Sequence, residues 1–211
     1  ARLDGVPGLR RLRFVTSFPG SFDRAILQAM ADLPTVCEYL HIPAQSGSDR
    51  MLRAMGRRYD RDEYDELIDA ARETVPGIAV AGDFIVGFPG ESEADHEASA
   101  GLIRRAGYKN SFIFKYSPRP GTAGARALAD DVPDEVKRRR NNELLAVQEE
   151  VSLAGNRQWV GRTAEVLVEG PSPRARRQPE PAPAGQTQLI GRTRTDHIVV
   201  FNGPEDLAGR Y

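Results

Sequence analysis

Cysteine is nearly absent from this chain of 211 residues, since Cys37 is the only one. A single cysteine excludes an intrachain disulfide framework and favours the cytoplasm as the compartment. It also excludes an iron–sulfur cluster held by several cysteines of this chain alone. The three histidines, His41, His96 and His197, show no metal-ligand spacing. The sequence therefore predicts no metal site.

A surplus of positive charge and a long apolar run are also missing. Against 29 Lys and Arg stand 30 Asp and Glu, so no net charge attracts nucleic acid. Any RNA contact has to come from local basic clusters, such as Arg174, Arg176 and Arg177, or Arg192 and Arg194. No apolar run could span a bilayer and no signal peptide is visible, so no membrane partner is predicted.

The first three quarters of the chain alternate between apolar runs and helical spacing. Strands are predicted at Arg11–Thr16, Val36–Ile42, Ile78–Val86 and Phe112–Tyr116. Helix N-caps between and before them are predicted at Ser21, Ser48, Asp60 and Ser92. This order predicts parallel strands with right-handed helical crossovers. Since four strands cannot close a barrel, the predicted fold is α/β, as a partial (β/α) barrel.

The pattern changes after a long helix that begins near Pro133 and ends near Gln158. Alternating residues predict antiparallel strands at Thr163–Glu169, Gln188–Thr193 and His197–Phe201. The Pro-rich segment Pro171–Gly185 is predicted as a flexible loop. We therefore expect two domains, residues 1–158 and residues 159–211, the second a small all-β module.

Three predicted strands each end in a turn that contains polar residues. The segments are HIPAQSGSD at 41–49, DFIVGFPGE at 83–91 and KYSPRPGT at 115–122. Such strand ends are where α/β folds bind ligands. Gln45 and Ser46 can reach a ligand there, Gly47 relaxes the backbone, and Ser48 starts a helix. The simpler interpretation is a capped turn without a ligand.

Asp83 interrupts an otherwise apolar strand, and a buried carboxylate needs hydrogen-bond donors or a cation. One interpretation is a structural ion pair, with Arg57 as a candidate partner. Arg57 by itself would be read as a solvated surface residue.

The segments QSGSDR, DFIVGFPGE and YSPRPGT, in this order, resemble the MiaB-type radical-SAM methylthiotransferases that modify tRNA. The resemblance covers nearly the whole chain. It implies the second half of a radical-SAM barrel followed by a TRAM domain, a small OB-like RNA-binding module. We expect the chain to be an internal fragment of a longer protein, incomplete at both ends.

The resemblance also implies cofactor-binding residues. Gln45, Arg57 and Asp83 fall on places that contact the ribose and the amino-acid portion of S-adenosylmethionine, with Ser46 beside them. Ribose hydroxyls need an acceptor and the methionyl carboxylate needs a cation, which these side chains supply. The strand that contains Ile85 would pack against the adenine.

The family's two 4Fe-4S clusters rest on two sets of three cysteines, and neither set is in this chain. One cluster would cleave S-adenosylmethionine to a 5′-deoxyadenosyl radical, a second S-adenosylmethionine would donate methyl, and the auxiliary cluster would take part in sulfur delivery. No catalytic residue is therefore assigned within the chain.

For RNA, Arg192 and Arg194 are expected to project from the same face of one strand, as a pair that contacts phosphates. The alternative is two solvated arginines at a sheet edge.

The function implied by the resemblance is insertion of a methylthio group at C-2 of an isopentenyl (dimethylallyl) adenosine beside the anticodon, with the tRNA anticodon stem-loop as partner. Other subtypes act on threonylcarbamoyladenosine or on a ribosomal protein. There are two rival hypotheses. One is a non-catalytic RNA-binding protein with a degenerate barrel, and the other is a cluster-free (β/α) enzyme that binds another nucleotide. A Cys-x-x-x-Cys-x-x-Cys motif upstream would favour the enzyme.

Overall fold

A computed structural model describes residues 3–15, 18–118, 121, 128–177 and 185–211. Its first part is a parallel sheet in the order β1-β2-β3, formed by β1 (Tyr39–His41), β2 (Ala79–Val86) and β3 (Asn110–Lys115). The helices of this part are α1 (Ala25–Asp32), α2 (Asp49–Ala54), α3 (Arg61–Thr74), α4 (Glu93–Ala106) and α5 (Asp134–Arg157). The prediction of an α/β fold with a parallel sheet is confirmed.

The predicted strand Arg11–Thr16 is wrong. Of this segment, Leu12 alone forms a parallel bridge, with Val36, and Thr16 lies outside the described residues. The reason is that Arg11 and Arg13, which flank Leu12, turn towards the second part of the chain and hydrogen-bond there. The next strand is also shorter than predicted, since β1 begins at Tyr39.

Local capping signals gave most helix starts correctly. Ser48 accepts the Met51 N–H, and Asp60 and Ser92 each form a full capping box. The cap predicted at Ser21 is wrong, because that residue ends a 3-10 turn and α1 begins at Ala25 instead.

The second part is an antiparallel sheet of β4 (Leu167–Pro171), β5 (Thr187–Arg192) and β6 (Ile198–Gly203), as predicted in type. The loop predicted at Pro171–Gly185 is wrong for the described stretch α6 (Pro173–Arg177), which is helical; residues 178–184 of that loop lie outside the described residues. Nothing in this sheet distinguishes a TRAM domain from another small β module, and the predicted domain division stays a prediction.

The parallel sheet has one covered and one open face. Val80, Phe84 and Val86 of β2 pack into the core with the helices. Asp83 lies on the opposite face, and its register neighbour on β3 is Phe112, whose exposed fraction is 51%. Phe114 on the same strand is 54% exposed. The open face is therefore aromatic and carries a carboxylate.

No helix among the described ranges is long and apolar enough to cross a membrane.

Gly47 is where the β1–α2 junction touches α4. A Cβ at this position would lie inside van der Waals contact of the Ala98 carbonyl oxygen and 2.7 Å from Ser99 Cα. The Gly47 N–H also donates to Ser99 Oγ at 2.9 Å. Only a residue without a side chain allows this approach.

We expect Gly47→Ala to lower the free energy of unfolding by about 1–3 kcal/mol, because the added methyl group displaces backbone rather than a flexible side chain. Urea unfolding monitored by circular dichroism measures it. Gly101→Ala is the matched control, since its Cβ would meet nothing within 4 Å in the middle of α4. That change should be neutral or stabilising by about 0.5–1 kcal/mol. Equal effects of the two substitutions would contradict the steric account.

Candidate functional site

The carboxyl-terminal edge of the parallel sheet is built around Gln45. Its N–H donates to the Asp83 carbonyl at 2.7 Å, and its own carbonyl accepts the Ile85 N–H at 2.9 Å. Gln45 adopts a left-handed φ of 67°, a region that ordinary side chains rarely occupy. The sequence led us to expect the unusual backbone at Gly47, and that expectation is corrected: Gly47 serves the close contact with α4, while Gln45 makes the turn.

Two buried tyrosines satisfy the carbonyl groups just before this turn. The Tyr64 hydroxyl donates to the Ile42 carbonyl at 2.8 Å, and the Tyr59 hydroxyl reaches the Pro43 and Ala44 carbonyls at 3.2 and 3.1 Å. Burial raises the pKa of Tyr59 to about 12, so the hydroxyl keeps its proton and its role as donor at physiological pH. The tyrosines thereby hold the junction together with its parallel bridge from Gln45 to Phe84 of β2.

Arg57 reaches back to the turn from the end of α2. Its Nη2 donates to Gln45 Oε1 at 2.7 Å. The Arg57 Nε is buried and has no hydrogen-bond partner among the described residues. The Nε atoms of Arg11, Arg13 and Arg140 are in the same state, so it is the bond to Gln45 that distinguishes Arg57 from an ordinary surface arginine.

Asp83 is paired with His41 rather than with Arg57. The distance from His41 Nε2 to Asp83 Oδ1 is 3.0 Å, and the His41 ring packs edge-on against Phe112 with 6.1 Å between ring centroids. The predicted convergence at this edge thus takes the form of two pairs, Arg57 with Gln45 and His41 with Asp83, linked through the Gln45–Asp83 backbone hydrogen bond.

Ser46 lies inside the turn and not on its surface. Its side chain is buried, its Oγ accepts the Ser48 N–H at 3.2 Å, and Ser99 Oγ lies 3.4 Å away. The predicted ligand contact of Ser46 therefore has no support from its position, and the capped-turn interpretation accounts for this residue.

A buried ion pair that the sequence did not suggest fixes the loop after β2. Glu91 Oε2 accepts the Gly87 N–H at 2.7 Å and pairs with Arg140 Nη1 of α5 at 2.8 Å. Burial raises the pKa of Glu91, against the opposing effects of the Gly87 N–H and Arg140. Gly87, at a φ of 72°, would place a Cβ 2.9 Å from Lys137 Cδ. Because Arg140 is 49 residues from Glu91 and sits in a run of basic residues, no local signal identified the pair.

Arg192 and Arg194 do not form the exposed pair that the sequence predicted. Arg194 lies beyond the end of β5, and its Nε and Nη2 bind the two Glu38 carboxylate oxygens at 2.9 and 2.7 Å. Arg192 Nε pairs with Glu169 at 3.0 Å and its Nη1 with Asp196 at 3.0 Å. Their expected side-by-side projection from one strand is corrected, because acidic residues of the chain itself draw the side chains apart.

These arginines belong to a charged interface between the two sheets. The Asp196 carboxylate also forms ion pairs with Arg13 at 2.8 Å and with Lys109 at 3.1 Å. Burial opposes ionisation of Asp196, but Lys109 and Arg192 outweigh it and lower its pKa. Glu38 and Lys109 immediately precede β1 and β3, so the second sheet docks at the amino-terminal edge of the first, opposite Gln45 and Arg57.

We expect Arg194→Ala to weaken this docking. It removes the bidentate pair with Glu38 and the bonds to the Pro34 and Val36 carbonyls, which suggests a loss of about 1.5–3 kcal/mol in the free energy of unfolding. Since the pKa of Glu38 is lowered by Arg194 despite burial, the pair contributes at neutral pH and its contribution fades as pH falls through the folded-state pKa, below the usual 4.5.

Urea unfolding of both proteins at pH 7 and at pH 3 measures this difference. Arg210→Ala is the control, because the Arg210–Asp206 pair is exposed and should matter little. A deficit of Arg194→Ala that is as large at pH 3 as at pH 7 would count against the ion pair.

Comparison with known proteins finds one family model and several named relatives that are similar to this chain. Residues 7–103 match the model of the Radical SAM superfamily. A Rhodopirellula baltica protein named tRNA-2-methylthio-N(6)-dimethylallyladenosine synthase is 48% identical over 99% of this chain and 43% of its own length. A Moorella thermoacetica protein of the same name is 43% identical over 99% of this chain and 45% of its own length. The chain thus spans less than half of these relatives.

Among solved structures, the radical SAM enzyme coproporphyrinogen III oxidase (HemN) from Escherichia coli matches with a TM-score of 0.54 at 19% identity. The match covers 64% of this chain and 31% of that one. At this identity the match supports the fold alone.

Proposed function

We propose that this chain, which belongs to the Radical SAM superfamily, is the carboxyl-terminal half of a barrel that binds S-adenosylmethionine in a tRNA methylthiotransferase. The whole enzyme would insert a methylthio group at C-2 of a dimethylallyladenosine in tRNA. The observation that carries the proposal is the cluster of Gln45, Arg57 and Asp83 at one sheet edge, in a chain 48% identical over 99% of its length to a protein of that name.

The polar groups at this edge fit the cofactor. Arg57 is a partly exposed cation at this edge, and a guanidinium suits the methionyl carboxylate. Asp83 is partly exposed on the open face and offers an acceptor for ribose hydroxyls. Ile85 lies on the same face of β2 and gives the adenine an apolar surface. When bound, S-adenosylmethionine would supply the radical chemistry and the methyl group.

The residues of this chain do not fit an iron–sulfur cluster. Cys37 is buried at 1% exposure, and no group of three His, Cys, Asp or Glu suited to a metal ion occurs among the described residues. Cluster ligands would have to come from the part of the whole protein outside this chain. The role of the residues in this chain is to bind and orient S-adenosylmethionine, and none of them is assigned a proton transfer.

Asp83→Ala in the reconstituted whole protein should weaken S-adenosylmethionine binding. Loss of a charged hydrogen-bond acceptor suggests about 1.5–3 kcal/mol, a factor of roughly 10 to 150 in Kd. Equilibrium dialysis measures the affinity, and circular dichroism checks the fold. Asp69→Ala, which removes an exposed carboxylate of α3, is the matched control. Unchanged affinity of Asp83→Ala would discard the cofactor assignment.

For the tRNA, the modified base has to leave its stack to reach the open face, so affinity for the rest of the RNA must come from elsewhere. Arg192 and Arg194 were predicted to supply it, but their pairing with Glu169, Asp196 and Glu38 leaves them poorly placed for phosphates. The other basic cluster is better placed. Arg176 and Arg177 are exposed on α6, whose Ala175 N–H is capped by Ser172.

Replacing Arg176 and Arg177 by Ala should weaken tRNA binding and flatten its salt dependence by up to about two counterions, because phosphate contacts release condensed cations. Filter binding at several salt concentrations measures both quantities. Arg192 and Arg194 replaced together form the comparison: they should mainly lower the unfolding temperature. If instead the second pair alters the salt slope and the first does not, the RNA grip lies on Arg192 and Arg194, as the sequence suggested.

A further inference from the structure

His41 is the last residue of β1, and its side chain is almost fully buried. The ring lies on the open face of the sheet, where Nε2 is 3.0 Å from Asp83 Oδ1 and the ring edge packs against Phe112. The pairing register sets His41 opposite Ala81, two residues before Asp83 along β2. Two neighbouring strands thus present an imidazole and a carboxylate in contact on one surface.

The hydrogen bond from His41 occupies Oδ1 of Asp83 and leaves Oδ2 to accept a hydrogen bond from a ligand. A carboxylate can only accept, so the ring nitrogen is the donor to Oδ1. Of the described side chains, His41 is the one that hydrogen-bonds Asp83, and no described donor meets Oδ2. A side chain in the middle of an open sheet face would otherwise rotate about χ2, and the fixed Oδ1 removes that freedom.

We propose that His41 is the positioning residue for Asp83: its Nε2–H holds one carboxylate oxygen so that the other accepts a hydroxyl of the bound nucleoside. The inference rests on the proposed cofactor site and adds a residue to it. The Phe112 ring also packs against the imidazole, which limits the movement of the pair before the ligand arrives and so reduces the entropy lost on binding.

The test is S-adenosylmethionine affinity in the reconstituted whole protein, measured by equilibrium dialysis. His41→Phe keeps an aromatic ring and removes the donor. His41→Gln places an amide N–H at about the reach of Nε2 and should restore it. We expect His41→Phe to raise Kd by about 3- to 10-fold, the size of one lost hydrogen bond, and His41→Gln to stay within about 2-fold of the parent.

A double-mutant cycle with Asp83→Ala separates positioning from general destabilisation. If His41 acts through Asp83, the double variant His41→Phe/Asp83→Ala should bind as Asp83→Ala alone does. Additive losses, or equal losses in His41→Phe and His41→Gln, overturn the proposal, because a merely structural histidine would not be rescued by glutamine.

The outcomes also distinguish this inference from the proposed function. Should Asp83→Ala weaken binding while His41→Phe binds as the parent does, only the role of His41 is discarded. If Asp83→Ala binds as the parent does, the cofactor assignment falls and the positioning role falls with it.

Discussion

The close approach of the β1–α2 junction to α4 is the constraint on which the rest of the sheet edge depends. Gly47 lies against the backbone of Ala98 and Ser99, and this contact leaves no room for a side chain. With the chain pinned there, Gln45 is held at a left-handed φ by two backbone hydrogen bonds to β2. Strain of this kind persists only where the surroundings over-determine it. The turn therefore presents its polar side chains in one fixed arrangement.

Polar pairs, not apolar packing, give the edge its chemistry. Arg57 with Gln45 and His41 with Asp83 each leave one group with capacity to spare, the Arg57 Nε and the second Asp83 oxygen. The Asp83 side chain is partly exposed, so its second oxygen can accept a hydrogen bond from a ligand. By contrast, the Glu91–Arg140 pair is enclosed and serves to hold the neighbouring loop against α5.

The two ends of the parallel sheet have different tasks. One carries Gln45 and Asp83, and the other binds the antiparallel sheet through Glu38, Lys109 and Asp196. Helix α5 joins them, and its 24 residues span about 36 Å.

The sequence by itself determined the parallel α/β order and the caps at Ser48, Asp60 and Ser92, and its motifs carried the resemblance to a family, because these depend on motifs and on residues three or four positions apart. It also predicted that Gln45, Arg57 and Asp83 meet at one edge, where the structure joins Gln45 to Arg57 through their side chains and to Asp83 through the backbone. Only the tertiary structure decided which hydrogen-bond and ion-pair partner each of the charged side chains has. His41 and Asp83 are 42 residues apart, and Arg194 and Glu38 are 156 apart. A charged side chain has many candidate partners in a sequence, and burial and distance, which no local pattern contains, choose among them.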